Sequence, residues 1–66
     1  MNGRIARLVV EKGFGFVRGD DDSVERFFHR SAVVGQPFEL LQEGQPVVFE
    51  EEQSAKGPRA RRVEVA

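Results

Sequence analysis

The stretch Lys12-Gly13-Phe14-Gly15-Phe16-Val17-Arg18 decides the fold of this chain. Its two phenylalanines alternate with smaller residues, and side chains two residues apart in a β-strand point to the same face. Phe14 and Phe16 therefore share one face, while Gly15 and Val17 share the other. We predict a strand at this place with one aromatic side.

A second stretch, Phe27-Phe28-His29, shows the same alternation. Phe27 and His29 point to one face of the strand that it predicts, and Phe28 points to the other. The sequence thus contains two neighbouring strands that each have an aromatic side, and basic residues flank both.

Glycine or proline interrupts the chain often, and the segments between are short and rich in Val and Phe, which is typical of an all-β fold. The sequence predicts five strands, at Gly3 to Val10, Phe14 to Arg18, Val24 to His29, Pro46 to Glu52 and Pro58 to Val65. The long connection after the third strand begins with one helical turn at Ser31-Ala32-Val33. Such a connection after three meandering strands favours a partly open antiparallel Greek-key barrel, and we expect residues 1–66 to form one domain.

The apolar residues are more numerous than a small core needs. One face of the predicted strands supplies enough apolar volume for that core, namely Ile5, Val17, Phe28, Val33, Val47, Phe49 and Val63. Three phenylalanines are then a surplus on the other face, namely Phe14, Phe16 and Phe27. The opposite assignment, with these phenylalanines inside and the valines outside, remains open on periodicity alone. Flanking charges, and glycines that leave one side of a strand bare, favour exposed rings.

Charge is spread unevenly along the chain. Its 66 residues include 10 Lys and Arg and 11 Asp and Glu, giving a net charge of −1, whereas proteins that bind nucleic acid by bulk attraction are usually strongly basic. Basic residues concentrate in residues 4–18 and 56–62, and acidic residues concentrate between them. If the two ends of the chain lie side by side, a basic face results; scattered, solvated charge is the alternative.

Exposed aromatic rings beside Lys and Arg favour single-stranded nucleic acid as the partner. Each base offers a π-face and each linkage a negative phosphate, and stacking contributes about 1–3 kcal/mol per base without regard to sequence. The alternative is a protein-interaction β-barrel, in which the same phenylalanine face receives a partner chain.

At these two stretches the sequence resembles the bacterial cold-shock proteins. Residues 12–17 are similar to the first ribonucleoprotein-type motif of cold-shock domains, and residues 27–33 are similar to the second. Smaller matches elsewhere extend the resemblance over the whole chain, namely Gly3, Phe38, Glu43-Gly44-Gln45, Phe49-Glu50 and Lys56-Gly57-Pro58. The resemblance implies an OB-fold barrel that binds single-stranded RNA or DNA and acts as an RNA chaperone or regulator of gene expression.

The resemblance also implies a set of binding residues. The positions that match the binding surface of the family are Lys12, Phe14, Phe16, Phe27, His29, Phe38 and Lys56. We add three arginines that are able to contact a phosphate or a base, namely Arg7, Arg30 and Arg59.

Several positions depart from the pattern of the family. Arg7 stands where the first strand normally has an exposed tryptophan, and Arg30 replaces a second aromatic residue. Val9 replaces a polar asparagine. Arg26 lies where the family often has an aliphatic residue, so we expect the start of the third strand to be bulged or turned outward. A guanidinium stacks on bases and bonds phosphate, so we expect weaker, more salt-dependent binding.

Enzymatic function is disfavoured by the placement of the candidate residues. His29 and Ser31 lie only two residues apart at a strand end, and nothing indicates an oxyanion hole. The glycines at 13, 15 and 19 do not have the spacing of a phosphate-binding loop, and the acidic run Asp20 to Asp22 lacks the glycine and distal glutamate of a calcium loop. We predict no catalytic residues, no metal site and no cofactor.

The composition also bears on location. The chain has no cysteine and no apolar stretch long enough to span a membrane, and its first residues lack the apolar run of a signal peptide. We expect a cytoplasmic protein that binds neither a membrane nor a small-molecule substrate and that works as a monomer.

Overall fold

The computed structural model describes residues 1–66 and contains five strands and three short 3-10 helices. The strands are β1 (Asn2–Val9), β2 (Phe14–Gly19), β3 (Glu25–His29), β4 (Pro46–Ser54) and β5 (Gly57–Val65). The 3-10 helices lie at Val10–Lys12, Arg30–Ala32 and Phe38–Leu40. All five predicted strands are confirmed, with no strand end displaced by more than two residues, and the predicted helical turn lies one residue earlier.

The sheet closes into a barrel with the strand order β1-β2-β3-β5-β4, because β1 also pairs with β4. Every neighbouring pair is antiparallel except β3 and β5, which meet in parallel at Phe27 and Arg59. Strand directions cannot alternate all the way round a ring of five, so one neighbouring pair has to be parallel. The closure places Arg59 beside Phe27, although the two residues are far apart in the sequence.

A β-bulge in β1 changes which side chains face outward. Ile5 pairs with Val17, but the next paired residue of β1 is Arg7, which lies opposite Phe16. Because side chains alternate with period two, an extra residue at this point moves all later side chains of the strand to the other face. Without the bulge at Ala6, Arg7 would point into the barrel.

The core confirms the predicted division of faces. Its nine buried apolar residues are Ile5, Val17, Phe28, Phe38, Leu41, Val47, Phe49, Ala60 and Val63. Val33, also predicted for the core, is partly buried against it. Phe28 is 0% exposed, whereas its neighbour Phe27 is half-buried on the outer face. The alternative assignment, with the surplus phenylalanines inside, is therefore excluded.

Phe38 is a correction to the predicted binding surface. Its side chain is only 5% exposed, and its ring meets the ring of Phe28 edge-on at 6.1 Å between centroids. The short helix that begins at Phe38 turns this ring and Leu41 inward, where both add to the apolar area that a small barrel can remove from water. Phe38 is a core residue that leaves almost none of its ring on the surface.

Arg26 is a second correction. The pairing of β2 with β3 is regular through Val17 and Arg26, so the strand is not bulged there, and the Arg26 side chain points inward with 2% exposure. Burial of a charge requires paired partners. Arg26 Nη2 donates to Asp22 Oδ2 at 2.6 Å and Nε donates to Glu51 Oε2 at 2.7 Å. Nη1 donates to the carbonyl oxygen of Val24 at 2.9 Å.

The Arg26 cluster ties the β2–β3 turn to β4. The hydrogen bond from Arg26, together with the backbone N–H of Val24, lowers the pKa of Asp22 from 3.8 to about 2. A side chain at Gly19 would displace this pair, because a Cβ at that position would lie 2.5 Å from Asp22 Oδ1 and 2.6 Å from Arg26 Nη1. The planar guanidinium also lies 5.3 Å from the centre of the Phe49 ring, which closes the cluster on its apolar side.

Candidate nucleic-acid interface

Three phenylalanine rings form one connected surface on the outer face of β2 and β3. Phe16 lies opposite Phe27 across the two strands, and Phe14 lies two residues before Phe16 on the same face. The ring centroids are 6.0 Å apart for Phe14 and Phe16, 5.3 Å for Phe14 and Phe27, and 6.1 Å for Phe16 and Phe27. All three side chains are half-buried. We call this surface the phenylalanine triad.

Arg7 extends the triad onto β1. Its guanidinium carbon lies 5.1 Å from the centre of the Phe16 ring, within the range of a cation–π contact. The bulge described above brings Arg7 to this face. A guanidinium that lies on a ring keeps its N–H groups at the edge of the plane, so Arg7 remains able to bond a phosphate or a base.

His29 lies at the other edge of the triad, opposite Phe14. Its Nδ1 accepts a hydrogen bond from the backbone N–H of Ser31 at 3.1 Å and lies 2.9 Å from the Ser31 hydroxyl oxygen. Because Nδ1 is an acceptor here, the proton of the neutral ring is on Nε2. The exposed imidazole can therefore donate from Nε2, and Ser31 serves to orient it.

Lys12 and Arg30 lie together at the end of the β2–β3 pair. Lys12 is the exposed last residue of the first 3-10 helix, and Gly13 follows it with φ of 76°, a left-handed conformation that favours glycine. The Gly13 carbonyl accepts the backbone N–H of Arg30 at 2.9 Å. A Cβ at Gly13 would lie 3.1 Å from Arg30 Cδ, so the glycine also makes room for the arginine stem.

A groove beside Phe27 holds the remaining predicted residues. It is lined by Phe27 and residues 54–59, which include Lys56 in the β4–β5 hairpin and Arg59 next to Phe27. Arg59 Nε lies 3.3 Å from Glu52 Oε1, but the geometry is not that of a hydrogen bond, and this buried nitrogen has no hydrogen-bond partner. The guanidinium of Arg59 is thus only partly satisfied within the chain.

The structure brings together most, but not all, of the predicted site. The direct neighbours are the triad, Arg7, His29 and Arg59. Around them lie Lys12, Arg30 and Lys56, and Phe38 is absent from this face.

The broad basic face predicted from the two chain ends is much reduced. Strands β1 and β5 do not pair, and two arginines of β5, Arg61 and Arg62, face Glu50 at 3.0 and 3.6 Å.

Sequence reasoning did not place Arg4 and Arg18 in the candidate site. Arg18 follows Phe16 by two residues and lies opposite Arg4 in β1, so both continue the outer face of the triad. The period of two that identified Phe14 and Phe16 also identifies Arg18.

The chain has no group of three or more His, Cys, Asp or Glu side chains that could hold a metal ion. It also has no helix that is long and apolar enough to cross a membrane.

A closed five-stranded barrel with aromatic rings and arginines on one outer face belongs to the class of small barrels that bind nucleic acid. Residues 1–66 match the family model of the 'Cold-shock' DNA-binding domain. The chain is 42% identical to Cold shock protein 1 of Lactiplantibacillus plantarum over 94% of its own length and 92% of the relative's. It is 43% identical to Probable cold shock protein A of Mycolicibacterium smegmatis over 88% and 87% of the two chains.

A third relative, Cold shock-like protein CspE of Buchnera aphidicola, is 41% identical and covers 96% of this chain and 91% of the relative. The chain belongs to the cold-shock domain family. Nucleic-acid binding of the cold-shock type is therefore its function at the level of the family, and the same assignment carries the expectation of a binding protein rather than an enzyme.

Proposed function

We propose that this protein binds single-stranded RNA or DNA by stacking bases on the phenylalanine triad. The observation that carries the proposal is the set of three half-buried rings, 5.3 to 6.1 Å apart, on the face opposite the core. Each ring is left partly in water on this face, where it offers a stacking surface to a base.

The groups around the triad supply contacts of a different kind. Arg7 and Arg59 stand beside Phe16 and Phe27, where their N–H groups reach the phosphates that connect stacked bases. His29 donates from Nε2, and Lys12, Arg30 and Lys56 add charge at the edges. Stacking binds a base without regard to its identity, and contacts between the cationic groups and phosphates make the binding depend on salt.

This mode of binding accounts for an RNA chaperone or a regulator of gene expression without any nucleotide hydrolysis. Bases paired in a duplex cannot reach the rings, so the protein binds the melted form of a weak hairpin in preference to the paired form. A ligand that prefers one state shifts the equilibrium toward that state.

The test is a titration of a labelled unstructured oligonucleotide and of a duplex of the same length at moderate salt. The single strand should bind well ahead of the duplex, and the same protein should open a weak hairpin that carries a fluorophore and a quencher. Equal affinity for the two forms would exclude stacking, and the absence of binding to either would indicate a protein partner for the phenylalanine face.

A further inference from the structure

The outer face of β1 and β2 continues beyond the triad into a pair of arginines. Arg4 and Arg18 are direct partners across the two strands, and Arg18 lies two residues beyond Phe16, about 6.6 Å further along β2. Like charges that lie directly opposite each other in a sheet are destabilising. Arg18 is compensated by Glu25 on its other side in β3, whereas Arg4 forms no ion pair with a carboxylate.

Each of these arginines keeps unused hydrogen-bond donors. Arg18 Nη2 bonds Glu25 Oε2 at 2.8 Å, and Arg4 Nη1 bonds the carbonyl oxygen of Gly44 at 3.0 Å. A guanidinium has five N–H groups, so most donors of both side chains remain free. Arg18 is also widely accessible, with 57% of its side chain exposed.

The two arginines line one concave cleft. Gly19, Ser23 and Gly44 form part of its wall, and Asp20 also lines it. Because Glu25 and Asp20 offset part of the positive charge, bulk attraction is modest there. The cleft is suited to an anion that accepts several directed N–H groups, and an arginine fork matches the oxygens of a phosphate in this way.

We propose that Arg4 and Arg18 form a phosphate subsite for the backbone of the bound strand where it passes beyond Phe16. This inference rests on the proposed function, since it requires a bound nucleic-acid strand that stacks on Phe16 and continues along β2. It adds a direction to the binding path, from Phe14 through Phe16 toward Arg18, and a lower limit to the length of oligonucleotide that uses the whole surface.

The test compares Arg4→Gln/Arg18→Gln with Arg61→Gln/Arg62→Gln, a control that removes the same charge from residues outside the cleft. Affinity for oligothymidylates of increasing length, from about four to about 16 nucleotides, is measured at several salt concentrations. For single strands the slope of log affinity against log salt is about −0.7 per neutralised phosphate. For the long ligands, Arg4→Gln/Arg18→Gln should reduce the size of this slope by about 0.7 to 1.4, and the control should not.

The shortest ligand that still depends on Phe16 should bind both double variants equally. Thermal unfolding checks that the variants fold, and Arg4→Gln alone, which leaves the pair of Arg18 with Glu25 intact, provides a second variant. An unchanged slope for long ligands overturns the inference, as does an equal reduction at every length or in the control. Failure of the proposed function is distinguishable, because the wild-type protein would then not bind long ligands or Phe16→Ala would leave its affinity unchanged.

Discussion

The guanidinium carbon of Arg7 lies 5.1 Å from the centre of the Phe16 ring. The bulge in β1 produces this contact by moving Arg7 from the core side of the strand to the outer side. A cation thus occupies the edge of the triad where a further ring would lengthen the stacking surface. The binding of this protein should consequently depend more on salt than the binding of a wholly aromatic surface.

Replacing this cation by a ring tests that statement. Arg7→Trp should raise affinity for a single strand at high salt, because stacking survives screening, and should reduce the size of the salt slope by about 0.7, the contribution of one phosphate. Adding Arg30→Phe should bring the total reduction to as much as about 1.4. Titrations over a range of salt concentrations measure both effects. An unchanged slope in the double variant would show that neither arginine reaches a phosphate.

The burial of Phe38 predicts a loss of stability, not of binding. Phe38→Ala should destabilise the barrel by about 3–5 kcal/mol, as expected for a phenylalanine removed from a core, and Phe38→Leu should cost less and leave a folded protein. Denaturant unfolding measures the loss, and titration of Phe38→Leu measures binding. If Phe38→Leu is as stable as the wild-type protein but binds single strands more weakly, the ring contacts the ligand after all.

The ion pair of Arg26 with Asp22 predicts a pH dependence of stability. The pKa of Asp22 is lowered from 3.8 to about 2 in the folded protein, so the folded state holds fewer protons than the unfolded state in this interval. The contribution of Asp22 is therefore complete above pH 3.8 and is lost as the pH falls toward 2. The melting temperature should fall less steeply over this interval in Asp22→Asn than in the wild-type protein.

The matched control is Asp21→Asn, because Asp21 is exposed in the same turn and forms no ion pair. This variant should retain the pH dependence of the wild-type protein. If Asp22→Asn and Asp21→Asn both follow the wild-type curve, the Arg26 cluster does not stabilise the fold through Asp22.

The strands could be predicted from the sequence because their signal is local. Alternation over Phe14 to Val17 and over Phe27 to His29 indicates strands and shows which residues share a face. The choice of the outward face depended on the flanking charges and glycines, and glycine or proline marks most strand ends. The parallel contact of Phe27 with Arg59 could not be predicted in this way, because it follows from closure of the barrel.

The two wrong expectations, at Phe38 in the candidate site and at Arg26 in β3, also concern features that local alternation does not decide. Phe38 lies in a connection without strand periodicity, so its sequence does not indicate a direction for its side chain. Arg26 lies two residues before Phe28, so the period of two places both side chains on the inward face. Its partner Glu51, however, comes from β4, which is distant in the sequence. A charged residue at an inward position gives a usable signal only when the residue that neutralises it can be identified, and strand pairing decides that.

Adjacent residues Phe27 and Phe28 provide the most direct test of the account, because they have the same chemistry on opposite faces of β3. Phe27→Ala should weaken single-strand binding by about 1–3 kcal/mol with a small loss of stability, measured by titration and by denaturant unfolding of the same samples. Phe28→Ala should instead lose about 3–5 kcal/mol of stability. Unchanged affinity in Phe27→Ala, or unfolding of Phe27→Ala as severe as that of Phe28→Ala, would contradict the claim that the phenylalanine triad is a stacking surface.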